Sequence, residues 1–343
     1  MSTRRTFLKR ALGAAGLALG AGRSRWAAAQ TADSRQERNK AVVLRYMARH
    51  EQSDDEAAVV ARETLAPGYK SLRGGVSNLG NNARDQGFPS AGRNLRGAIP
   101  DRHDIIEDII ADGDMVGLLF RLTGTHRGNL LGIPATGKTI DILEAGIFKL
   151  ADSKITEGWF MADEAGLLMQ LGARLPLRTD GKLIPPPLSD TGEDGDAVLA
   201  RLTARPPETQ EDHNKITVAR SKSAAPPADL RAPDYQRTRA GFQHLRDRGI
   251  ANGVGGQTIT QGLPTRRDKV DVLLAEGDKV WMQFRLSGIN DNSIYGLPPT
   301  HQRVEVPELG IMRFTDGQWK EAWYFGDELG LLLQLGAPNV LVD

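Results

Sequence analysis

Two glutamates, Glu144 and Glu308, are the strongest candidates for chemistry in this chain of 343 residues. Each lies in a stretch that alternates like a β-strand, and alternation places every second side chain on one face. The two faces consist of Ile140, Ile142, Glu144, Gly146 and Phe148, and of Val304, Val306, Glu308, Gly310 and Met312. A carboxyl group buried among apolar neighbours has a raised pKa, which suits a general acid or base near neutral pH.

A structural role is the alternative for both glutamates. Each could bind a backbone amide or an arginine such as Arg121 or Arg285, since structural ion pairs also perturb carboxyl pKa values. No set of His, Asp and Glu residues has metal-ligand spacing, and there is no glycine-rich phosphate loop or nucleophile elbow. The sequence therefore predicts neither a metal nor a cofactor.

A duplication explains why the candidate occurs twice. When the chain is shifted by 164 positions, residues 109–173 match residues 273–337 without a gap, and 26 of the 65 positions are identical. The copies end in "DEAGLLMQLGA" and "DELGLLLQLGA". A period of this length excludes a solenoid and indicates two copies of one domain.

Each copy predicts an α+β fold. Apolar spacing indicates helices at 39–50 and 54–65, and strand-like alternation begins at Arg102. A short helix closes each copy, with Asp163 or Asp327 as its N-cap, since an N-cap oxygen satisfies free backbone donors. The second copy is about nine residues shorter at its front and carries a proline pair, so we expect one helix there to be trimmed or lost.

The predicted domain boundaries follow from the repeat. Residues 36–174 form the first domain and residues 214–343 the second, whose N-terminal helices are shortened. Residues 175–213 between them are rich in Pro, Gly and Asp and read as a linker, with one short helix at 196–202.

Composition excludes several classes of partner and chemistry. A net charge of +1 gives no reason to expect nucleic acid or an anionic surface as a partner. The chain has no cysteine, which excludes disulfides, thiolate metal sites and a cysteine nucleophile.

The N-terminus predicts export, and residues 1–29 read as a signal peptide. Arg4 and Arg5 begin the stretch "RRTFLK", which closely matches the twin-arginine export pattern. The apolar run at 11–22 is shorter than the roughly 20 residues that span a bilayer, and Ala27 to Ala29 offer a cleavage site. We therefore expect a periplasmic or secreted mature protein without a membrane span. A frayed basic helix is the alternative.

The stretches "GTHRGNLLGIPATGK", "GIFKLADSKITEGW" and "DEAGLLMQLG" resemble the SnoaL-like polyketide cyclase family of the NTF2-like superfamily, and the second copy is similar to it. The resemblance implies two tandem cones, each a curved antiparallel sheet wrapped by helices around an apolar pocket. It also implies metal-free aldol cyclisation by an aspartate and pocket histidines. The family's aspartate position holds Phe160 and Tyr324, its histidine positions hold Gly158 with Ala322 and Gly146 with Gly310, and only His126 keeps its type, with Asn290 as counterpart.

The sequence therefore predicts a protein that binds a small apolar carbonyl-type molecule. The alternative is a cofactor-free lyase or isomerase, of polyketide or ester cyclase type, that uses Glu144 and Glu308 as acid or base. By the resemblance, the pocket includes His126, Gly146, Phe160, Gly310 and Tyr324. We further expect the domains to pair as an internal pseudo-dimer through their outer sheet faces, which carry Trp159 and Trp323.

Overall fold

The computed structural model of this protein describes residues 23–73, 77–84, 87, 91–182, 184–185, 188, 191–239, 242–254 and 258–342. Arg4 and Arg5 of the predicted export signal lie outside the described residues. No helix in the described part of the chain is both long and apolar enough to cross a membrane.

Ten α-helices, one 3₁₀ helix at Arg49–Glu51 and eleven strands make up the described structure. The helices are α1 (Arg23–Ala48), α2 (Asp54–Thr64), α3 (Ser77–Arg84), α4 (Ala91–Ala98), α5 (Glu164–Leu171), α6 (Gly195–Thr203), α7 (Gln210–Arg220), α8 (Gln243–Ala251), α9 (Ile259–Gly262) and α10 (Glu328–Gln334). The strands are β1 (Leu65–Arg73), β2 (His103–Asp112), β3 (Met115–Thr125), β4 (Thr139–Ala151), β5 (Lys154–Ala162), β6 (Glu193–Asp194), β7 (Arg231–Arg239), β8 (Arg267–Glu276), β9 (Lys279–Ile289), β10 (Arg303–Thr315) and β11 (Gln318–Gly326).

The strands form two sheets of related topology. The first sheet has the order β1-β5-β4-β3-β2, and the second has the order β6-β8-β9-β10-β11-β7. β1 runs parallel to β5 and β7 runs parallel to β11, whereas the other pairs are antiparallel. Two helix-wrapped sheets in tandem confirm the predicted α+β fold class.

Helix-capping residues begin several of these helices. The side chain of Ser53 accepts a hydrogen bond from the backbone of Glu56, whose carboxyl reaches back to Ser53. Asp163 accepts from Gly166 N at 2.8 Å, and Asp327 accepts from Gly330 N at 2.7 Å. The predicted N-caps of the two closing helices are therefore confirmed.

Several elements differ from those that the sequence predicts. Helix α1 begins at Arg23, within the predicted signal peptide, and β1 and β7 were not predicted at all. The short helix predicted at 196–202 is present as α6, whereas β6, which adds a short strand to the second sheet, was not predicted. As the shorter, proline-containing front of the second copy predicted, the chain there passes from α7 to β7 without an intervening helix, so α2 has no counterpart.

The two faces of each sheet have different partners. On β4, Phe148 packs in a cluster of the first domain with Tyr46, Phe120 and Phe160. The alternate side chains of β4 point to the opposite face of the sheet, into a cluster built from both domains. The members of that shared cluster are Ile110, Ala145, Ile147, Met161, Leu274, Trp281, Leu309, Ile311 and Phe325, with Trp159 and Trp323 packed against them.

Polar contacts between the domains repeat with the 164-residue offset. The carboxyl of Glu276 accepts a hydrogen bond from Ala111 N at 3.1 Å and binds Lys40 at 2.5 Å. The equivalent Asp112 accepts from Ala275 N at 2.9 Å and binds Lys215 at 2.7 Å. Each domain thus offers the other the same group of contacts, which is the arrangement of a two-fold pair.

Candidate functional site

Glu144 lies on the inner face of β4, beside the aromatic core of the first domain. Its side chain is 1% exposed, and Oε1 accepts a hydrogen bond from Nη1 of Arg73 at 3.1 Å. Oε2 is buried and has no hydrogen-bond partner among the described residues. Burial raises the pKa of Glu144, and the charges of Arg73 and Arg102 oppose that rise. The strand alternation predicted this burial, whereas a catalytic or binding role of Glu144 stays a prediction.

Glu308 repeats the arrangement on β10. It accepts a hydrogen bond from Arg239, and its Oε2 is again buried without a partner among the described residues. Burial raises the pKa of Glu308, and three cations, Arg239, Lys222 and Arg266, oppose the rise. Three cations thus lie near Glu308 and two near Glu144.

Arg121 and Arg285 do not pair with the two glutamates. Strand register places Phe120 opposite Glu144, so the adjacent Arg121 points to the other face of the sheet. There Arg121 binds Glu107 and Asp141, each at 2.7 Å. Arg285 likewise points to the outer face of its sheet, where it binds Asp271 at 2.8 Å. Arg121 and Arg285 are therefore the wrong arginines, because they lie on the outer face, although each glutamate does bind an arginine, as the structural alternative expected.

Aromatic rings occupy much of the predicted pocket in the first domain. A Cβ atom added to Gly146 would lie 2.9 Å from the Phe148 ring and 3.5 Å from the Phe160 ring. The guanidinium of Arg73 lies 4.4 Å above the centre of the Phe160 ring. The structure thus brings Glu144, Gly146 and Phe160 together around Arg73. The remaining family histidine position, Gly158, faces the hydroxyl of Tyr69, 2.7 Å from an added Cβ.

The second domain brings the corresponding residues together. A Cβ atom added to Gly310 would lie 3.1 Å from the Tyr324 ring. Arg239 lies 5.5 Å from the centre of that ring and also binds Glu308. The predicted set of Glu308, Gly310 and Tyr324 therefore surrounds Arg239.

A histidine–aspartate pair in the first domain was missed by the sequence analysis. Nδ1 of His50, which follows α1, lies 2.6 Å from Oδ2 of Asp104 on β2. Arg102 donates to both oxygens of Asp104 at 2.9 Å. Burial, followed by the charge of Arg102, lowers the pKa of His50 to about 4, so its imidazole is neutral near pH 7. Asp104 can only accept, so the tautomer with its proton on Nδ1 donates to Asp104 and has Nε2 as its acceptor; Nη2 of Arg102 also lies 3.1 Å from Nδ1.

A lysine takes the place of this histidine in the second domain. Lys222 binds Asp268 at 2.5 Å, and Nζ lies 3.3 Å above the centre of the Phe284 ring. Arg266 donates to both oxygens of Asp268 at 2.7 and 2.8 Å. Burial lowers the pKa of Lys222 to about 8. The two domains therefore share an arginine–aspartate pair but differ in the third group, which is neutral in the first and cationic in the second.

His126 does not join Glu144. It is fully buried, and Nδ1 lies 3.0 Å from the hydroxyl of Thr136 in the turn that follows. Its backbone also pairs with that turn, at Gly137 and Lys138. Asn290 holds the equivalent turn of the second domain through Thr300. These contacts give His126 a turn-stabilising position, and a ligand-binding role for it stays a prediction.

Comparison with protein families identifies the fold's relatives. The model of the SnoaL-like polyketide cyclase family matches residues 75–171 and again residues 231–335, which together make up more than half of the chain. The chain belongs to this family. Its two matched segments each contain one of the buried glutamates, so the duplication concerns whole SnoaL-like domains.

The relatives of this SnoaL-like protein include an enzyme of known name. Aklanonic acid methyl ester cyclase DauD from Streptomyces sp. (strain C5) is 29% identical over 140 residues, which cover 39% of this chain and 81% of that enzyme. Among solved structures, IdmH from Streptomyces antibioticus is 23% identical, with 39% of this chain and 99% of IdmH covered and a TM-score of 0.33. TsrD from Streptomyces laurentii is 23% identical, with 39% and 96% covered and a TM-score of 0.31. The family assignment depends on the two matched segments and not on these structural likenesses.

Proposed function

We propose that the first domain of this SnoaL-like protein binds a small, largely apolar molecule that carries a hydroxyl group or an enolisable carbonyl. The observation that carries the proposal is the buried Oε2 of Glu144, which has no partner among the described residues. Buried polar atoms in native proteins are nearly all hydrogen-bonded. A ligand O–H group that donates to Oε2 would supply the hydrogen bond that this oxygen lacks.

The surroundings of Glu144 support a ligand of this chemistry. Phe148, Phe160 and Tyr69 offer apolar surface, and the Arg73 side chain is 22% exposed, so solvent reaches the group that binds Glu144. The named activity of DauD, a methyl ester cyclase, also suggests a carbonyl compound. We place the working site in the first domain because it keeps His126, which is Asn290 in the second domain, and helix α2, which has no counterpart there.

The second candidate function is a cofactor-free acid–base reaction on such a carbonyl compound. The pair formed by His50 and Asp104 supports it, because Asp104 holds the imidazole in one orientation, although a pKa of about 4 makes that ring a weaker base than a group that titrates near neutral pH. The second domain has Lys222 at the corresponding place and lacks this base. Proton transfer would therefore be a property of the first domain.

We expect 2-naphthol, an apolar probe with one hydroxyl group, to bind the protein, and the Glu144→Gln variant to bind it about 10-fold to 100-fold more weakly. A hydrogen bond to a charged group contributes about 1.5–3 kcal/mol, which corresponds to that range. Fluorescence titration of 2-naphthol measures the affinity. Because burial raises the pKa of Glu144, affinity should fall as the pH is lowered through that pKa and the carboxylate becomes protonated.

Two controls make this binding experiment specific. Glu308→Gln, the matched change in the second domain, should reduce affinity much less, and 2-methoxynaphthalene, which cannot donate a hydrogen bond, should not distinguish Glu144→Gln from the wild type. Equal affinity of Glu144→Gln and wild type for 2-naphthol would disprove the ligand role of Glu144. Exchange of the α-protons of 2-tetralone in D₂O, followed by NMR, separates the two functions: only an acid–base enzyme accelerates exchange, and His50→Gln should then abolish it.

We also propose that the protein leaves the cytoplasm by the twin-arginine route, which Arg4 and Arg5 before a short apolar run support. Replacing both with lysine should retain the unprocessed chain in the cytoplasm. Cell fractionation with immunoblotting measures the location and size of the product. Mature-sized protein outside the cytoplasm in the double-lysine variant would refute the assignment.

A further inference from the structure

Three potential metal-binding side chains meet where the two domains join. Asp163 caps α5 of the first domain, His244 lies on α8 of the second, and Glu328 begins α10 of the second. One ligand atom of each residue lies within 4.8 Å of the other two. Nε2 of His244 and Oδ2 of Asp163 are 3.3 Å apart.

The buried carboxylate of Glu328 is a separate observation that points to a bound ligand at this cluster. Its side chain is 4% exposed, and Oε1 accepts a hydrogen bond from Leu245 N at 2.5 Å. Oε2 is buried and has no hydrogen-bond partner among the described residues. A buried carboxylate oxygen without a partner calls for a proton donor or a cation. Glu164 and Asp327 at the equivalent place also have such oxygens, so it is the imidazole of His244 that distinguishes this cluster.

The equivalent place across the domain junction differs by one residue. There Asp327 and Glu164 are the carboxyls, and Asn78 on α3 takes the position of His244. Burial raises the pKa of both carboxyls, and the adjacent Asn78 amide offsets part of that rise. Only the copy with the imidazole therefore has the set of two carboxylates and one histidine that transition-metal ions prefer.

We propose that Asp163, His244 and Glu328 bind a divalent transition-metal ion such as Zn²⁺, which ties the two domains together. Zn²⁺ bonds to nitrogen and oxygen of about 2.0 Å in a tetrahedral site place neighbouring ligand atoms about 3.3 Å apart, as His244 and Asp163 are. Three protein ligands leave the fourth position for water. Asp163 and His244 are each about one-quarter exposed, so an ion can reach the site from solvent.

The distances between these ligands explain why the sequence did not predict a metal. The three residues lie far apart in the chain, on elements of both domains, and only the packing of one domain on the other brings them together. Metal-ligand spacing in sequence detects sites on one helix or one loop, which this is not.

The test is isothermal titration calorimetry of ZnCl₂ into the untagged, EDTA-treated full chain. We expect one Zn²⁺ per chain, and at least about 10-fold weaker binding for His244→Asn, which introduces the residue that the other copy carries at this place. Glu328→Gln should weaken binding similarly. His301→Ala is the matched control, because His301 and Asp291 form a His–Asp pair at 3.2 Å on the surface without a buried third carboxylate, and it should leave affinity unchanged.

Several results would overturn the proposal. These are the absence of stoichiometric Zn²⁺ binding to the wild type, wild-type affinity in His244→Asn, and loss of binding in His301→Ala. Circular dichroism melts without metal show whether each variant is folded. If His244→Asn does not fold, Glu328→Gln decides, and wild-type affinity in that variant excludes the site.

Discussion

Replacing Trp281 with alanine should lower the free energy of unfolding by about 3–5 kcal/mol, which is the usual cost of removing a buried large aromatic side chain. Trp281 is fully buried in the cluster that both domains share. Its ring packs on Gly117 of the first domain, where an added Cβ would lie 2.7 Å from a ring atom. Gly117 and Trp281 are equivalent positions of the two repeats, so the large residue of one copy fills the space left by the small residue of the other. Urea unfolding measures the loss.

A double-mutant cycle tests whether this contact joins the domains. Gly117→Val alone should cost about 1–3 kcal/mol by overpacking against the indole ring. Combined with Trp281→Ala, the same valine fills part of the cavity, so the double variant should be more stable than the sum predicts. Trp319→Ala is the control, since Trp319 is equally buried but belongs to the core of the second domain. Strict additivity of Gly117→Val and Trp281→Ala, or solution scattering from two separated domains, would contradict the predicted pseudo-dimer.

The stretch that ends each copy, "DEAGLLMQLGA" or "DELGLLLQLGA", forms part of the junction between the domains. Each "DE" pair supplies an N-cap aspartate and a buried glutamate at the start of a closing helix, and those helices contact each other. Asp163 binds His244 of the other domain at 3.3 Å, and the equivalent Asp327 lies near Asn78 of the first domain. The same short stretch therefore caps its own helix and contacts the opposite domain.

The sequence predicts the architecture well because both copies of the repeat show the same pattern of strands and closing helix. Strand alternation correctly assigns Glu144 to the inner face, since it has the parity of Ile140 and Ile142, which are buried between exposed or half-buried residues at the start of β4. The contact between domains is harder to predict. Trp281 lies on the outer face of β9, where the other side chains of the strand are mostly polar. Only contact with the other domain explains why this tryptophan is buried.

The partners of the two glutamates could not be predicted from local patterns. Arg73 ends β1, whose residues are mostly exposed and include Pro67 and Gly68, so the segment reads as a turn rather than a strand. Its parallel pairing with β5 is a long-range event. His50 and Asp104 are similarly joined across 54 residues. Sequence patterns identify each buried glutamate, whereas the charged side chains that determine whether it is protonated are brought to it only by tertiary contacts.

Replacing Arg73 with methionine should destabilise the first domain by about 3–5 kcal/mol at pH 8, because removal of one partner leaves a buried charge without compensation. Arg73 is the main cation that opposes the raised pKa of Glu144. Without it, the pKa of Glu144 in the folded state should rise further. Thermal and urea unfolding at several pH values measure the effect.

The pH dependence distinguishes this mechanism from simple loss of packing. A carboxyl whose pKa is raised by folding contributes its full stability below the pKa of the unfolded chain, near 4.5, and loses it as the pH rises through the folded-state pKa. The penalty for Arg73→Met should therefore be small near pH 4.5 and grow toward pH 8. Adding Glu144→Gln removes the titrating group, so the double variant should lose this pH dependence and recover most of the stability at pH 8. Arg121→Met, which breaks the ion pairs with Glu107 and Asp141 on the partly exposed outer face, should cost no more than about 1 kcal/mol. A penalty for Arg73→Met that is the same at pH 4.5 and pH 8 would show that Arg73 acts by packing on Phe160 and not by compensating Glu144.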